Sequence, residues 1–451
     1  MFMRRYIISF LMVFMACGAW AQETYYYCGG KKITLTRETG RSLKSMYVNN
    51  IGQQLKATDY LYVKLKSMDD KAMLSSVAET YGLDIYSQDE FMPLWFVLKK
   101  KSAESGNVVD IANRIYETGL FAECSPDFSM ERAEISYDPN VGKQWGLYNT
   151  MTEGADINVS EAWNYATGRG IVIAIVDEGI ELTHIDLAAN IYPKSYDAWT
   201  STSPSKVYGE HGTHCAGIAA AVRNNGIFVT GVAPDAKLMS VSNPMDCDSA
   251  LFVGNMSRGI NWAWMNGADI ISLSWGCENS VMIEDAIENA ISHGRGGKGC
   301  VVIKSAGNNN ASGMTFPGNC RGVIDVANMT IKGVRNSRRS TGSNYGPGLF
   351  ISAPGTDIYS TVPKNLYNSK SGTSMAAPHV AGVVALMLER CPDLTMQQVR
   401  EILARTAKRL PTMVPQNERK DDLGVWDEYY GYGLVDAYNA VLEVMKYNIT
   451  K

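Results

Sequence analysis

A turn of small residues leads into a long apolar run in the stretch Ser371-Gly372-Thr373-Ser374-Met375-Ala376-Ala377-Pro378-His379-Val380-Ala381-Gly382, and the run continues to Leu388. Such a run predicts a buried helix that begins near Ser374, with Pro378 tolerated in the first turn. At a helix N-terminus, free backbone N–H groups and the helix dipole stabilise developing negative charge. Ser374 is therefore either an ordinary helix cap or a candidate nucleophile, and a nucleophile requires a base elsewhere.

A base and its orienter are found upstream of this serine. The segment 209–221 predicts a second apolar helix that begins with small residues and has His211 near its N-terminus. Before it lies Ile171–Val176, almost entirely β-branched, which predicts a strand buried on both faces and followed by Asp177. The crevice of a parallel α/β sheet lies at the carboxyl ends of its strands. A carboxylate there holds an imidazole in one tautomer, and that imidazole can deprotonate a serine.

Donors for an oxyanion come from a further strand end. The apolar run from Val301 ends in Ser305-Ala306-Gly307 and is followed by Asn308. Acyl transfer through a tetrahedral intermediate needs hydrogen-bond donors aimed at the developing oxyanion. The side-chain amide of Asn308 and the backbone N–H of Ser374 meet that need.

Four motifs in this order resemble the subtilisin family of serine proteases, whose chain order is Asp, His, Ser. They are Val176-Asp177-Glu178-Gly179, His211-Gly212-Thr213-His214-Cys215-Ala216-Gly217, Ala306-Gly307-Asn308 and Gly372-Thr373-Ser374-Met375-Ala376-Ala377-Pro378-His379. The similarity covers about residues 138 to 445. Four motifs in sequence are far more specific than any one of them.

The resemblance implies a role for each matching residue. Ser374 would be the nucleophile, His211 the general base and then acid, Asp177 the orienter, and Asn308 the oxyanion donor. The chemistry would be hydrolysis of peptide bonds in protein or peptide substrates, with no cofactor. The remaining histidines are expected to be structural: His184, His214, His293 and His379.

The same resemblance places the substrate groove along two chain segments. These would pair with an extended peptide by strand addition, and their residues are Ser274, Trp275, Gly276, Ser305, Ala306 and Gly307. Thr315 and Phe316 would close the floor of the primary specificity pocket. A mostly apolar wall predicts preference for an apolar or aromatic residue before the cut, although Trp275 is equally compatible with a core tryptophan.

A structural calcium ion is a further expectation of the resemblance. Asp186 with Asn224 and Asn225 stands where many subtilases bind calcium, and the segment 223–227 is rich in oxygen ligands. The alternative is a plain Asn-Gly turn.

Two residues beside the predicted triad are Glu178 and Cys215. Glu178 follows Asp177 where the family usually has Ser or Thr. It is expected to point to solvent; the alternative is that it points inward and raises the pKa of His211. Cys215 follows the histidine motif, as in the proteinase K-like branch, and is either a small buried hydrophobe or a thiol whose modification would block His211.

Composition and the first residues indicate the compartment. A formal net charge of -4 over 451 residues argues against nucleic acid and an anionic membrane surface as partners. Residues 1–21 combine a basic start, an apolar stretch and Ala19-Trp20-Ala21, which predicts a signal peptide cut after Ala21. A membrane anchor is a weaker alternative, because the apolar stretch is short. The predicted localisation is therefore secreted, periplasmic or cell-surface.

Secretion permits disulfides among the nine cysteines. Spacing does not determine their connectivity. Cys247 with Cys277 is one pairing considered, Cys300 with Cys320 a weaker one, and free buried thiols are the alternative.

The pattern after the signal peptide changes near residue 135. Residues 22–135 show a β-α-β-α-β pattern, which predicts a small α+β domain. Its closing segment resembles the end of subtilase propeptides, so that it would act as an intramolecular inhibitor in a self-processing zymogen; an unrelated accessory domain is the alternative.

Residues 136–451 alternate strands and helices, which predicts a doubly wound, mostly parallel α/β sheet with flanking helices. A serine endopeptidase is the leading functional hypothesis. The alternatives are an inactive scaffold and a peptide ligase.

Overall fold

The structure is a computed structural model that describes residues 22–38, 46–49, 54–102, 106–130, 136–245, 251–339 and 341–447. The chain divides into two compact units, Met1–Glu131 and Arg132–Lys451. The predicted signal peptide and Cys247 lie outside the described residues. In the described part of the chain, every helix is too short or too polar to pass through a bilayer.

The N-terminal unit is an antiparallel sheet with two helices. Its strands are β1 (Gln22–Cys28), β2 (Lys31–Glu38), β3 (Met46–Asn49), β4 (Gln54–Lys64), β5 (Leu83–Gln88), β6 (Trp95–Lys100) and β7 (Glu123–Met130). Its helices are α1 (Lys71–Thr80) and α2 (Val108–Glu117). The strand order is β1-β2-β3-β4-β6-β5, and β7 also pairs with β4. Alternate residues of β4 and β6, among them Leu61, Val63 and Phe96, are buried in a core with α2.

The predicted β-α-β-α-β pattern of this unit was incomplete. It corresponds to β4, α1, β6, α2 and β7, whereas β1, β2, β3 and β5 were missed. Gly29 and Gly30, with φ of +57° and +75°, form the two-residue turn between β1 and β2. Positive φ at both turn residues is the favoured hairpin geometry, so the Gly-Gly pair was a usable signal.

The C-terminal unit alternates strands and helices as predicted. Its strands are β8 (Val172–Asp177), β9 (Tyr196–Asp197), β10 (Lys237–Ser242), β11 (Ile270–Leu273), β12 (Val301–Ser305), β13 (Ile324–Met329), β14 (Ile351–Pro354), β15 (Ile358–Val362), β16 (Leu366–Lys370), β17 (Arg419–Asp421) and β18 (Gly424–Trp426). Its helices are α3 (Val159–Ala162), α4 (His211–Ala220), α5 (Phe252–Met265), α6 (Val281–Gly297), α7 (Thr373–Arg390), α8 (Met396–Thr406) and α9 (Ala437–Tyr447).

The main sheet has the order β14-β13-β12-β11-β8-β10-β9, and every pairing in it is parallel. The six residues of β8 are all buried, because helices cover both faces of the sheet. Ile173 and Ile175 pack in the core with α4 and α7, while Ala174 and Val176 pack with α5 and α6. The predicted doubly wound α/β fold is confirmed.

The chain order places a crevice beside β8. From β8 the chain continues to β10 on one side and then crosses to β11 on the other. Ligands of open α/β sheets bind outside the carboxyl ends of strands where the order reverses in this way. Asp177, the last residue of β8, lies at that point.

Helix α7 corrects one detail of the sequence analysis. It begins at Thr373, so Pro378 is its sixth residue and lies in the second turn, not the first. Proline has no N–H to donate to the carbonyl four residues earlier. The Ser374 carbonyl therefore needs partners outside the helix.

Candidate active site

Asp177 and His211 form the best-defined pair at the crevice. Nδ1 of His211 lies 2.9 Å from both carboxylate oxygens of Asp177, which is completely buried. The Glu178 backbone N–H also donates to Asp177 Oδ1 at 2.7 Å. Burial alone lowers the pKa of His211, but the Asp177 carboxylate outweighs it, so that the pKa stands well above 6.5. The pair is suited to stabilise an imidazolium.

Glu178 points to the start of α4, so the expectation that it faces solvent was wrong. Its carboxylate accepts the His211 backbone N–H at 3.0 Å. It also fills the space that a side chain on residue 209 would need, since a Cβ added to Gly209 would lie 2.0 Å from Glu178 Oε2. A carboxylate at a helix N-terminus is favoured by the dipole and by the free N–H groups.

Ser374 is the second residue of α7. Its hydroxyl donates to the Ser274 carbonyl at 3.0 Å. Among the hydrogen bonds of the described residues, none joins Ser374 to His211. Catalytic hydrogen bonds often form only when substrate is bound, and the Ser374 hydroxyl would have to leave the Ser274 carbonyl to make one.

The Ser374 carbonyl, which Pro378 leaves without a helical donor, has two other partners. Ser274 Oγ donates to it at 3.1 Å and Cys215 Sγ at 3.3 Å. These contacts tie the start of α7 to the segment after β11 and to α4. These two contacts replace the helical hydrogen bond that Pro378 cannot donate, and they also position Ser374.

Asn308 is held through its side-chain oxygen. Asn308 Oδ1 accepts the Thr373 backbone N–H at 2.8 Å and the Thr373 hydroxyl at 3.0 Å. The Gly307 N–H donates to that same hydroxyl at 3.1 Å. With its oxygen held in this way, Asn308 presents its NH₂ group as the free donor. Thr373 was not singled out from the sequence, although it lies in the motif that drew attention to Ser374.

Cys215 is completely buried beside the pair. Its Sγ lies 4.0 Å from His211 Nδ1, and the ligand atoms of Asp177, His211 and Cys215 all lie within 4.8 Å of one another. Burial raises the pKa of Cys215, so the thiol stays protonated and donates to the Ser374 carbonyl. The packing agrees with a small buried residue, and the short distance to His211 means that modification of the thiol would disturb the base.

The two predicted wall segments follow β11 and β12 directly. They are Ser274–Gly276 and Ser305–Gly307, and the space between them is called the specificity gap below. Strand pairing between β11 and β12 ends at Leu273 and Lys304, so the segments are free of ladder hydrogen bonds to each other. Of their backbone groups, those of Trp275 and Gly276 make no hydrogen bond among the described residues and can bind an extended peptide.

Trp275 contributes its backbone to a wall and its side chain to the core. The ring is buried edge-on against Phe252, and Nε1 donates to the Val176 carbonyl at 2.9 Å. Of the two alternatives left open for this side chain, the structure shows the core tryptophan.

Thr315 fills the space between the two glycines of the walls. A Cβ added to Gly276 would lie 2.3 Å from Thr315 Cγ2, and one added to Gly307 would lie 2.2 Å from Thr315 Oγ1. Phe316 accepts the Cys277 N–H through its carbonyl at 3.1 Å. The floor is therefore a threonine, and the wall is less apolar than expected, because the buried Lys304 reaches Ser305.

The other histidines are held in the protein interior or at its surface away from the pair. His214 bonds to the carbonyls of Ile358 and Asn368, and burial lowers its pKa to about 3. His379 bonds to the Met375 carbonyl, and burial lowers its pKa to about 4. His184 is buried, and His293 stacks on Trp264.

The predicted calcium ligands come together only in part. Asn225 Nδ2 donates to Asp186 Oδ1 at 2.7 Å, and the Val229 N–H donates to Asp186 Oδ2 at 3.1 Å. Asn224 turns away, because its side-chain oxygen accepts from Ser136 and Tyr137. Asn224 as a ligand beside Asp186 is not what the structure shows.

A second buried carboxylate, Asp138, was missed in the sequence. It accepts the N–H groups of Asn224 and Gly226 at 2.9 and 3.1 Å. Burial raises the pKa of Asp186 to about 6, and the charge of Asp138 adds to this rise. Asp186 and Asp138 are thus two buried carboxylates beside the segment 223–227, and Asp186 and Asn225 are the predicted ligands that remain in contact.

Of the cysteine pairings considered, Cys300 with Cys320 is not formed. Cys300 precedes β12 and donates to the Ala268 carbonyl at 3.0 Å, at the opposite end of that strand from the specificity gap. Cys320 lies near the other end, in the surroundings of Lys304. The length of a strand separates the two thiols.

Comparison with known proteins decides the family. A family model described as the subtilase family matches residues 168–433. The chain belongs to the subtilase family. The resemblance found in the sequence is therefore confirmed, and serine peptidase is the enzyme class that goes with this membership.

Individual relatives of this chain support the same family membership. Thermitase of Thermoactinomyces vulgaris is 35% identical over 285 residues, covering 63% of this subtilase and 93% of the relative. A calcium-dependent protease of Trichormus variabilis is 31% identical over 437 residues, covering 86% of this chain and 64% of the relative, so the chain spans less than two thirds of that protein. A solved protease of Pseudoalteromonas arctica has a TM-score of 0.59 at 32% identity, covering 69% of this chain and 100% of that one.

Proposed function

We propose that this subtilase is a secreted serine endopeptidase that uses Asp177, His211 and Ser374 as its catalytic triad and is made as a self-processing zymogen. The observation that carries the proposal is the hydrogen-bonded Asp177–His211 pair, which Cys215 joins to the start of α7: its Sγ lies 4.0 Å from His211 Nδ1 and 3.3 Å from the Ser374 carbonyl oxygen. Asn308 supplies the fourth group, the oxyanion donor.

Acylation follows from these positions. The Ser374 hydroxyl leaves the Ser274 carbonyl and donates to His211 Nε2, and its oxygen attacks the scissile carbonyl carbon. The proton passes to Nε2, and Asp177 stabilises the resulting imidazolium through Nδ1–H. Asn308 Nδ2 and the Ser374 N–H donate to the oxyanion. His211 then gives the proton to the leaving amine as the C–N bond breaks.

Deacylation repeats the cycle with water. His211 takes a proton from the water that attacks the acyl-enzyme, and the ester bond to Ser374 Oγ breaks as the proton returns to the serine. All groups in both halves of the reaction are side chains and backbone of this chain, and the proposed chemistry requires no cofactor.

Substrate would enter as an extended strand between the two walls. Among the described residues, the backbone N–H and C=O groups of Trp275 and Gly276 in the wall after β11 make no hydrogen bond, and main-chain pairing accepts many protein sequences. This geometry favours proteins and peptides as substrates.

Active-site titration tests the peptidase and its nucleophile. A peptidyl organophosphonate should label the wild-type protein once, on Ser374, and should leave Ser374→Ala unlabelled. Absence of label on a folded wild-type protein would favour the inactive scaffold. A peptide ligase would instead form more aminolysis product than acid when an amine nucleophile is supplied.

The zymogen hypothesis concerns the N-terminal unit. Its sheet and helices form a core of their own, which suits a domain that is cleaved away. The expected cut falls within residues 130–140. Purified wild-type protein should lose the unit, whereas Ser374→Ala should keep its full mass; a purified Ser374→Ala sample that matures by itself would refute self-cleavage and favour an accessory domain cut by another protease.

Secretion rests on the leader in residues 1–21. Expression in a bacterial host should yield an exported precursor that begins at Gln22. Replacing the apolar stretch with charged residues should retain the precursor inside the cell, and mass analysis of both fractions measures the effect.

Calcium is proposed as a structural ligand of the loop around Asp186. A cation there would offset the buried charge of Asp186 and Asp138 and so stabilise the folded state. Chelation should lower the melting temperature of the wild-type protein by several degrees. Asp186→Asn should make melting insensitive to calcium, and a wild-type protein equally insensitive would speak for a plain Asn-Gly turn.

A further inference from the structure

A buried lysine lies directly behind one wall of the specificity gap. Lys304 is the fourth residue of β12 and is only 1% exposed. Its Nζ donates to the Ser305 carbonyl and, at 3.1 Å, to Ser305 Oγ. A buried lysine is rare in proteins and is usually paired, so its position beside a substrate wall calls for a function.

The direction of the Ser305 carbonyl places the ammonium at the gap. The Ala306 N–H donates to the Val326 carbonyl and so points to β13. Because backbone groups of successive strand residues point to opposite sides, the Ser305 carbonyl points the other way, toward Ser274. The ammonium that bonds to this carbonyl therefore lies at the base of the gap.

The countercharge lies on the far side of the lysine. Asp325 is the register partner of Lys304 on β13. Among the described residues, no carboxylate oxygen lies within ion-pair distance of Lys304 Nζ, and Asp325 Oδ1 has no hydrogen-bond partner. The two charges thus form a dipole across β12 with its positive end toward the gap.

The lysine is largely charged at neutral pH. Burial lowers the pKa of Lys304 to about 8, and the Asp325 carboxylate opposes that shift. An ammonium has three N–H donors, and the described residues use two of them, both on Ser305. The third remains for a ligand, with the half-buried Thr315 hydroxyl as a further polar group on the floor.

We propose that the specificity gap selects a residue with an anionic side chain, aspartate or glutamate, immediately before the cut, and that Lys304 is the residue that sets this preference. The inference rests on the proposed peptidase function and replaces the expectation of an apolar or aromatic residue. Because Lys304 is buried, water screens its charge only weakly, and one fixed positive charge of this kind discriminates strongly between a carboxylate and its neutral amide.

Matched peptides test the preference. Quenched fluorescent peptides that differ only at the residue before the cut, with Glu, Gln, Asp, Asn, Leu or Phe there, give kcat/KM for each at neutral pH. For the wild-type enzyme we expect the acid to exceed its amide by about tenfold or more. In Lys304→Met, which keeps the side-chain length, that ratio should fall to about one.

Two further variants keep the test decisive. Lys304→Met leaves the buried Asp325 carboxylate uncompensated and risks misfolding, so Lys304→Met/Asp325→Asn removes both charges and carries the same readout. Lys298→Met removes a similar charge from the end of α6, where Lys298 pairs with Asp393 at 2.7 Å, and should leave the wild-type ratio unchanged.

The outcomes separate the two proposals. Cleavage of the Leu or Phe peptides in preference to the acids by the wild-type enzyme overturns the inference and leaves the peptidase standing. An acid-to-amide ratio that survives in both Lys304 variants overturns the role of Lys304. No cleavage of any peptide, together with no phosphonate label, overturns the peptidase itself.

Discussion

The catalytic edge, formed by Asp177, His211, Ser374 and Asn308, and the specificity gap differ in how their buried polar groups are satisfied. At the catalytic edge the polar groups have hydrogen-bond partners. Asp177 accepts from His211 and from the Glu178 N–H, and Asn308 accepts from the Thr373 N–H. Behind the gap, the described residues accept two of the three N–H donors of Lys304 and leave Asp325 Oδ1 without a hydrogen-bond partner. A region that performs one reaction can be satisfied before substrate arrives, whereas a region that selects substrates keeps a group for the substrate to satisfy, here the third N–H of Lys304.

The largest expected effect comes from breaking the satisfied edge at Asp177. Asp177→Asn replaces an acceptor for Nδ1–H with an amide that stabilises the wrong tautomer and carries no charge for the imidazolium. We expect kcat to fall by about 10⁴-fold. Steady-state kinetics on a protein or peptide substrate measure it, and a loss below tenfold would show that Asp177 is not the orienter.

The next effect concerns the oxyanion donor. Asn308→Ala removes the NH₂ group that Thr373 positions, and kcat should fall by about 10²–10³-fold with little change in KM. Thr373→Val is the matched control, because the Thr373 backbone N–H still holds Asn308 Oδ1. The kcat of Thr373→Val should fall by no more than about tenfold. An equal fall of kcat in both variants would mean that Thr373 does more than position the amide.

Within the gap, the floor should control how long a side chain fits. Thr315→Gly removes the atoms that lie between Gly276 and Gly307. Peptides with a long residue before the cut should gain about tenfold in kcat/KM over those with alanine there, since a pocket contact of this size discriminates by that order. An unchanged ratio would place the selecting pocket elsewhere.

The smallest effect is a shift of the pH profile. The pKa of His211 stands above 6.5 because the Asp177 carboxylate outweighs the effect of burial, and only neutral imidazole can act as base. The value of kcat/KM should therefore decline as the pH falls below the pKa of His211, and the midpoint of this decline should lie above pH 6.5. Glu178→Gln keeps an acceptor for the His211 N–H but removes a nearby negative charge, so this acid limb should move to lower pH.

The control for the pH profile is Glu210→Gln. Glu210 is adjacent in sequence but pairs with Lys370 at 3.0 Å, so its charge is compensated. The acid limb should stay in place in this variant. A limb that moves equally in both would point to general surface charge and away from the contact at the start of α4.

The features of the fold and site that the sequence predicts are those whose sequence signals lie within a short segment. The buried strand before Asp177 and the small-residue openings of α4 and α7 are features of short segments, and they placed three site residues at strand and helix ends. The direction of the Glu178 side chain was predicted wrongly, because the preference of carboxylates for solvent competes with a helix N-terminus that only the fold brings near. The strands β1 and β2 were missed although Gly29 and Gly30 marked their turn.

The chemical groups, their order, and the α/β architecture that brings strand ends together follow from the sequence alone, because residue types, periodicity and helix openings act over a few residues. The contacts of those groups depend on the tertiary structure. Ser374 Oγ rests on the Ser274 carbonyl across a separation of 100 residues, and the Ser374 carbonyl freed by Pro378 binds Cys215. The ammonium of Lys304 reaches the specificity gap because adjacent strands part there and the Ser305 carbonyl points into the space between them.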